Sequence, residues 1–110
     1  MAKYFHTAIF QSTYILTLEI YKTTGNFKKE YKYTLGEKLK TISADLLDLI
    51  VLANSASEKK EFLRTLDNRL ETLRIHIRLS FDLKILGPGK LEIINKQIEE
   101  IGGWQKWAKQ

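Results

Sequence analysis

The 110-residue sequence contains no cysteine, only one proline and only two histidines. The absence of cysteine excludes a disulfide scaffold and thiolate metal sites, so we expect a reducing, cytoplasmic location. His6 and His76 occur in no spacing that would place two metal ligands on one helix face, and no cofactor is expected. No apolar run approaches the roughly 20 residues of a membrane span. We therefore expect no membrane segment, and the first 14 residues do not resemble a signal peptide.

Composition and charge indicate a globular domain with an acidic partner. Hydrophobic residues make up 44% of the chain and charged residues 28%, which is typical of a folded domain and not of a disordered segment. The length suits one domain, which we assign to residues 1–110. The formal net charge is +5 and the pI is near 9.4, which favours acidic partners such as nucleic acid.

Apolar residues recur at helical spacing in four segments, and nothing is typical of a strand. We predict helices over residues 7–24, 34–54, 57–86 and 89–109, joined by short loops. This pattern predicts an all-α fold, an up-down-up-down four-helix bundle. In the first helix the predicted core stripe is Phe10, Tyr14, Leu18 and Tyr21. The second carries an unbroken heptad seam of Leu35, Leu39, Ile42, Leu46, Leu49 and Ala53.

Local signals mark the ends of these helices. The pair at residues 25–26, Gly-Asn, suits a left-handed cap on the first helix. A T-x-x-E capping box that begins at Thr34 is expected to start the second helix. Ser55, or alternatively Ser57, is expected to cap the third helix. The Gly-Pro-Gly at residues 87–89 is expected to stop it.

The third predicted helix has too much apolar surface for one core. One side carries an ordinary buried stripe, formed by Leu66, Leu70, Leu73, Ile77 and Phe81. A second stripe requires a partner, and we expect an oligomer interface there. Its members are Ile75, Leu79, Leu83 and Leu86. The alternative is that Trp104 and Trp107 fold back and cover the second stripe.

Two arginines border this second stripe. Arg74 and Arg78 are one helical turn apart with no acid between them, and guanidinium groups suit bidentate contacts to phosphate or carboxylate. The alternative is that they pair with carboxylates of their own helix or of a second subunit. Lysines and tyrosines alternate around the first connector, at residues 22–40, where a solvated surface is the alternative to a binding site.

Signals for catalysis are poor. Glu99 and Glu100 lie on a polar helix face, where solvated charge is the usual explanation. A small-ligand hydrolase that uses this pair is the third hypothesis. We expect that the protein is not an enzyme.

Four stretches occur together in an order that is typical of one protein family. They are FKKEYKYTLGEKL at residues 27–39, LIVLAN at 49–54, LRIHIRLSFDLKIL at 73–86 and IGGW at 101–104. In this order the chain resembles Avd, the accessory variability determinant of diversity-generating retroelements, over almost its whole length. Small bundle proteins encoded in intervening sequences of 23S ribosomal RNA genes share the structural family. Their second helix ends in S-I-P-S-N-I-A-E-G, whereas LIVLANSAS at residues 49–57 lacks the proline and the E-G pair, which favours Avd.

The resemblance implies a specific function. Avd-type proteins are non-catalytic four-helix bundles that assemble as barrel-like homopentamers. They associate with the retroelement's reverse transcriptase and template RNA and support its mutagenic copying. For this chain we therefore expect a homopentamer that binds a reverse transcriptase and structured RNA, or DNA. An RNA- or ribosome-associated bundle of the intervening-sequence type is the alternative. The candidate contact residues are Arg74, Arg78, Arg69, Lys84, Lys28, Lys29 and Lys32.

Overall fold

A computed structural model describes residues 7–109, with side chains as far as residue 103. These residues form four long helices and one helix of a single turn, and none of them lies in a strand. The prediction of an all-α four-helix bundle is confirmed. The elements are α1 (Ala8–Thr24), α2 (Lys29–Lys32), α3 (Leu35–Ser55), α4 (Lys60–Asp82) and α5 (Pro88–Lys109).

The long helices pack side by side as a bundle that measures 43 × 24 × 21 Å. Helix α1 packs against α3 and α5, and α4 packs against the same two helices, so α1 and α4 are diagonal to each other. Because neighbours alternate in direction, α1 and α4 run the same way along the bundle. None of the helices formed by residues 7–109 combines the length and the apolar content that a membrane crossing requires.

The core is built around α3, whose seam was largely predicted. Leu39, Ile42 and Leu46 are fully buried, with the other helices packed around them. At the end of the helix the seam shifts, because Ile50 is buried where the heptad predicts Leu49. A straight α-helix has 3.6 residues per turn, so a strict repeat of seven drifts away from the core.

The predicted core face of α1 is wrong except at Phe10. Tyr14, Leu18 and Tyr21 are exposed, and the helix buries a different set of side chains. Two members of that set are threonines, whose hydroxyls donate to the backbone carbonyl four residues earlier at 2.8 Å. A threonine satisfied in this way can lie in a core. The buried residues of α1 are Phe10, Thr13, Leu16, Ile20 and Thr24.

The predicted caps are also wrong. Gly25 has an ordinary right-handed conformation, with φ −60°. The Thr34 hydroxyl donates to carbonyls of α2, because this single-turn helix directly precedes α3 and provides the nearer acceptors. Ser55 belongs to the last turn of α3, and the residue before α4 is Lys59, whose side chain makes no capping bond. An N-cap that was not predicted is Thr7, whose Oγ1 accepts from the Phe10 amide at 3.2 Å.

The third predicted helix extends too far at both ends, since α4 begins at Lys60 and ends at Asp82. Its end is a Schellman motif, and not the Gly-Pro-Gly at residues 87–89. The Lys84 amide donates to Phe81 and the Ile85 amide donates to Ser80, which satisfies two terminal carbonyls. This geometry requires a left-handed residue at position 84, and Lys84 has φ 64°. Glycine is the usual residue there because a side chain is strained at positive φ.

We expect Leu46→Asp to unfold the domain. Leu46 is 0% exposed, and a buried unpaired carboxylate costs several kcal/mol against a typical stability of about 5–15 kcal/mol. The matched control is Leu52→Asp, because Leu52 lies on the same helix but is 51% exposed. Thermal melts followed by circular dichroism should show a cooperative transition for the control only. A normal melt for Leu46→Asp would contradict the position of the core.

We expect Lys84→Gly to stabilise the domain by about 1 kcal/mol, because glycine adopts the left-handed conformation without strain. Lys84→Ala is the control, since it removes the same charge but keeps a Cβ at φ 64°. Chemical unfolding should therefore show a higher midpoint for the glycine variant alone. Equal midpoints for the two variants would mean that strain at this position is negligible.

Candidate functional site

The second stripe of the third predicted helix lies on the surface of α4. Ile75, Leu79 and Leu83 are 60%, 45% and 38% exposed, and we call these three residues the α4 face. Leu86 does not belong to it, because the chain leaves the helical path after Leu83, the C-cap of α4, and Leu86 turns into the core with 5% exposure. An exposed cluster of this kind marks an interaction surface more often than a scattered single residue does.

The two arginines beside the α4 face have partners on their own helix. Arg74 Nε lies 3.7 Å from the Glu71 carboxylate, and Arg78 Nε donates to Asp82 at 3.1 Å. No acid lies between the two arginines, as the sequence indicates, and the observed arrangement is the alternative of pairing within the helix, because an acid lies one turn outside the pair on either side. All four groups are well exposed, so these ion pairs contribute little to stability and can exchange for another partner.

The surroundings of the two arginines differ. Arg74 borders a cleft between α4 and α5 whose other charged lining residues, Asp67, Glu71 and Glu99, are all acidic. This local field disfavours a phosphate at Arg74. Arg78 is one turn from the end of α4, and its guanidinium lies 6.0 Å from the centre of the Phe81 ring. Of the two, Arg78 is better placed to contact an anion.

Arg69 has a structural role. Its Nη2 donates to the Asp45 carboxylate at 3.1 Å and so links α4 to α3. The Nε of the same guanidinium is buried and has no hydrogen-bond partner among the described residues. A group held in this way between two helices is poorly available to a large ligand.

Lysines gather at one end of the bundle, which we call the connector end. It comprises residues 25–34, the first turn of α3 at residues 35–38 and the loop of residues 83–87, because α1 and α4 both finish there and α3 begins there. A groove that combines residues of α1 with the 83–87 loop confirms this placement. Within the part of the chain that the structure describes, five lysines at this end form no ion pair. We call them the connector-end lysines: Lys28, Lys29, Lys32, Lys38 and Lys84.

Packing positions the backbone of the connector, which carries Lys28, Lys29 and Lys32. Phe27 is buried, and Gly36 in the first turn of α3 lies close to the connector. A Cβ at Gly36 would lie 3.4 Å from the Tyr31 carbonyl oxygen, which is ordinary van der Waals contact, so the connector and α3 pack closely at this point. Tyr33 remains 64% exposed, with the Lys32 ammonium 5.9 Å from its ring centre. The connector thus presents an aromatic ring among ammonium groups, a combination found in nucleic-acid-binding surfaces.

Sequence reasoning missed a second exposed apolar cluster. Tyr14, Ile15, Leu18 and Tyr21 lie on the surface of α1, and we call them the α1 face. They were hidden by the wrong choice of core stripe. The signal that identifies the true stripe is the spacing of Leu16 and Ile20 together with threonines that can bond to the helix backbone.

Comparison with known families places this geometry in context. A family model described as bAvd-like matches residues 7–108. The chain belongs to the bAvd-like family. No curated protein matches the sequence significantly. Membership of the bAvd-like family indicates an accessory protein of diversity-generating retroelements, which supports the Avd branch over the intervening-sequence alternative.

Proteins of the Avd type are generally non-catalytic. Of the three candidate catalytic residues that the structure describes, His76 and Glu100 form hydrogen bonds with other protein groups. The His76 ring donates from Nδ1 to the Thr72 carbonyl at 2.8 Å. Glu100 accepts from the Ser12 hydroxyl of α1, and its neighbour Glu99 lies in the cleft beside Arg74. Adjacent helical residues point about 100° apart, so these two carboxylates do not converge on one substrate. His6 lies outside the described residues.

One ion pair at the connector end makes stability depend on pH. The Lys90 ammonium donates to the Glu19 carboxylate at 2.9 Å, and this bond lowers the pKa of Glu19 below its ordinary value of 4.5. A lowered pKa in the folded state stabilises the fold above about pH 4.5. That contribution is lost as the pH falls through the folded pKa. The pair also neutralises Lys90 as a binding residue.

We expect Glu19→Gln to flatten the acid side of the stability profile. Thermal midpoints of this bAvd-like protein and of the variant should differ most above pH 5. They should converge as the pH falls from 4.5 through the lower pKa of folded Glu19, below which the side chains of both proteins are neutral at this position. Glu92→Gln is the control, because Glu92 pairs with Lys96 on the well-exposed surface of α5. Midpoints that stay equally far apart at every pH would contradict the assigned role of Glu19.

Proposed function

We propose that this bAvd-like protein assembles into a closed homopentameric ring that binds the retroelement's reverse transcriptase and its structured template RNA. In this role it supports mutagenic copying and performs no chemistry of its own. The observation that carries the proposal is the group of connector-end lysines, which have no ion pair among the described residues and lie together at one end of the bundle. A cytoplasmic location remains a prediction.

The charge distribution favours RNA contact at the connector end. Ammonium groups that lack an acidic partner can neutralise phosphates without first breaking an ion pair. Arg74 and Arg78 must exchange Glu71 and Asp82 for a new partner, although their exposure makes this inexpensive. We therefore assign the lysines to RNA and keep the two arginines as candidates for a carboxylate or phosphate of either partner.

Ring symmetry increases the effect of a modest net charge. In a cyclic assembly every copy presents its connector end at the same rim, so the lysine cluster is repeated around the ring. Weak phosphate contacts then act together, because binding of one copy raises the effective RNA concentration at the next. The resulting affinity depends on shape and charge and requires little reading of the bases.

We expect the triple variant Lys28→Ala, Lys29→Ala and Lys32→Ala to bind structured RNA more weakly, by an order of magnitude or more at moderate salt. Its salt dependence should also be shallower, by about 0.9 per lost duplex contact or about 0.7 per lost single-strand contact. Affinities at two salt concentrations measure both quantities.

The matched control for this experiment removes three positive charges elsewhere on the bundle. Its substitutions are Lys60→Ala, Arg64→Ala and Lys96→Ala. Because these residues lie away from the connector end, the control should retain RNA binding and its salt slope. Equal loss in both triple variants would mean that net charge alone governs binding and would contradict a localised site.

A pull-down with the cognate reverse transcriptase examines the arginines in the same series. Arg74→Ala with Arg78→Ala should keep the oligomer and weaken polymerase or RNA association. Unchanged binding to both partners would rule out the arginines as contacts. Loss of the oligomer would reassign them to pairing between subunits.

A further inference from the structure

The α1 face and the α4 face are two exposed apolar surfaces on diagonal helices of one small domain. We propose that they are the two halves of one interface, so that the α1 face of each copy packs on the α4 face of the next copy. This inference rests on the self-assembly in the proposed function and names the surfaces that perform it. Two different surfaces that contact each other form a heterologous interface. Such an interface builds a ring when the rotations from copy to copy add up to a full turn.

The two faces lie at the same height along the bundle. The ion pair between Glu19 and Lys90 places the end of α1 beside the loop after α4. At a rise of about 1.5 Å per residue, the α1 face extends about 15 Å back from Thr24 and the α4 face about 10 Å back from Asp82. A closed ring permits no translation along its axis. Faces at equal height meet that condition when the ring axis is parallel to the helices.

The Tyr21 edge of the α1 face and the Leu83 edge of the α4 face both lie on the α3 side, so the rotation between copies can close. On α1, the hydroxyl of Thr17 donates to the Ser43 carbonyl of α3 and Tyr21 lies under Lys40 of α3. On α4, Arg69 reaches α3 through its ion pair with Asp45. Arg69 also begins a row of side chains spaced by three and four residues, and this row continues to Leu79 and Leu83. Surfaces pointing in opposite directions would build a filament. Surfaces that both turn towards α3 enclose an axis on the α3 side of each copy.

Charged residues at the edges of the two faces are complementary. Successive residues of a helix point 100° apart. By this spacing Lys22 lies beside the Ile15 edge of the α1 face, and Asp82 lies at the edge of the α4 face that is farther from Leu83. These two edges meet when the faces pack with their helices parallel. Both residues are within one turn of the connector end. Lys22 forms no ion pair among the described residues, whereas Asp82 has an exposed carboxylate. The pairing therefore buries no like charges against each other.

The exposed apolar area of the two faces supplies about half of what an interface with a second copy requires. Seven half-exposed apolar side chains of about 100 Å² each supply roughly 700 Å², and specific interfaces bury about 1,200–2,000 Å² in total. Flanking polar residues of both helices can supply the remainder. Pairing the α4 face with itself about a twofold axis would bring only the connector ends together, because that face stops near one end of a 43 Å bundle.

The test uses two complementary interface variants, Leu18→Lys in the α1 face and Leu79→Glu in the α4 face. Each variant alone should be monomeric by light scattering at micromolar concentration, with helical circular dichroism unchanged because both side chains are exposed. Mixing them should restore association, since the intact α1 face of one variant meets the intact α4 face of the other. Ile93→Lys on α5 is the matched control and should assemble like the wild type.

The other outcomes are informative. If only one of the two variants loses assembly, its face pairs with itself and the heterologous pairing is wrong. If the mixture stays monomeric, the faces do not meet and the inference fails, while the oligomer of the proposed function stands. A monomeric wild type overturns both. An intact ring that fails to bind reverse transcriptase or RNA counts against the proposed function and leaves the pairing of the faces untouched.

Discussion

Burial of α3 against its two neighbours is the interaction on which the rest of the structure depends. Leu39, Ile42 and Leu46 are completely excluded from solvent, and α1 and α4 pack on opposite sides of them. Each long helix can turn only part of its circumference towards this core. Apolar residues in excess of that arc must remain on the surface. The α1 face and the α4 face are this excess, and they lie on either side of the helix that organises the core.

The sequence predicted those features that depend on periodicity alone. The four helices and the seam of α3 follow from apolar spacing, and three of the four predicted helices end within one residue of the observed bounds. The prediction failed on α1, where two equally regular stripes compete and Thr13 and Thr24 lie in the buried one. Large side chains such as leucine and tyrosine have more apolar surface to bury than threonine has, although a threonine hydroxyl bonded to its own helix is readily buried.

The candidate site was less predictable because ion pairing depends on tertiary geometry. The sequence offers Arg69 as a binding residue, whereas the fold pairs it with Asp45 of α3. Lys84 is a minor candidate in the sequence, and the fold places it at the same end of the bundle as lysines more than fifty residues earlier in the chain. A formal charge of +5 describes neither effect. What matters for binding is which lysine and arginine side chains lack an acidic partner and on which part of the surface the fold places them.

In the proposed function, assembly and nucleic-acid binding are coupled by the position of these surfaces. The two apolar faces approach the same end of the bundle that carries the connector-end lysines, so the ring proposed from the faces places every lysine cluster on one rim. A change confined to an apolar face should then weaken RNA binding without removing a single positive charge, because monomers lose the shared effective concentration. Loss of lysines has the opposite pattern, since it weakens binding and leaves the ring intact. The two effects separate because hydrophobic burial does not depend on counterion release, whereas phosphate contact does.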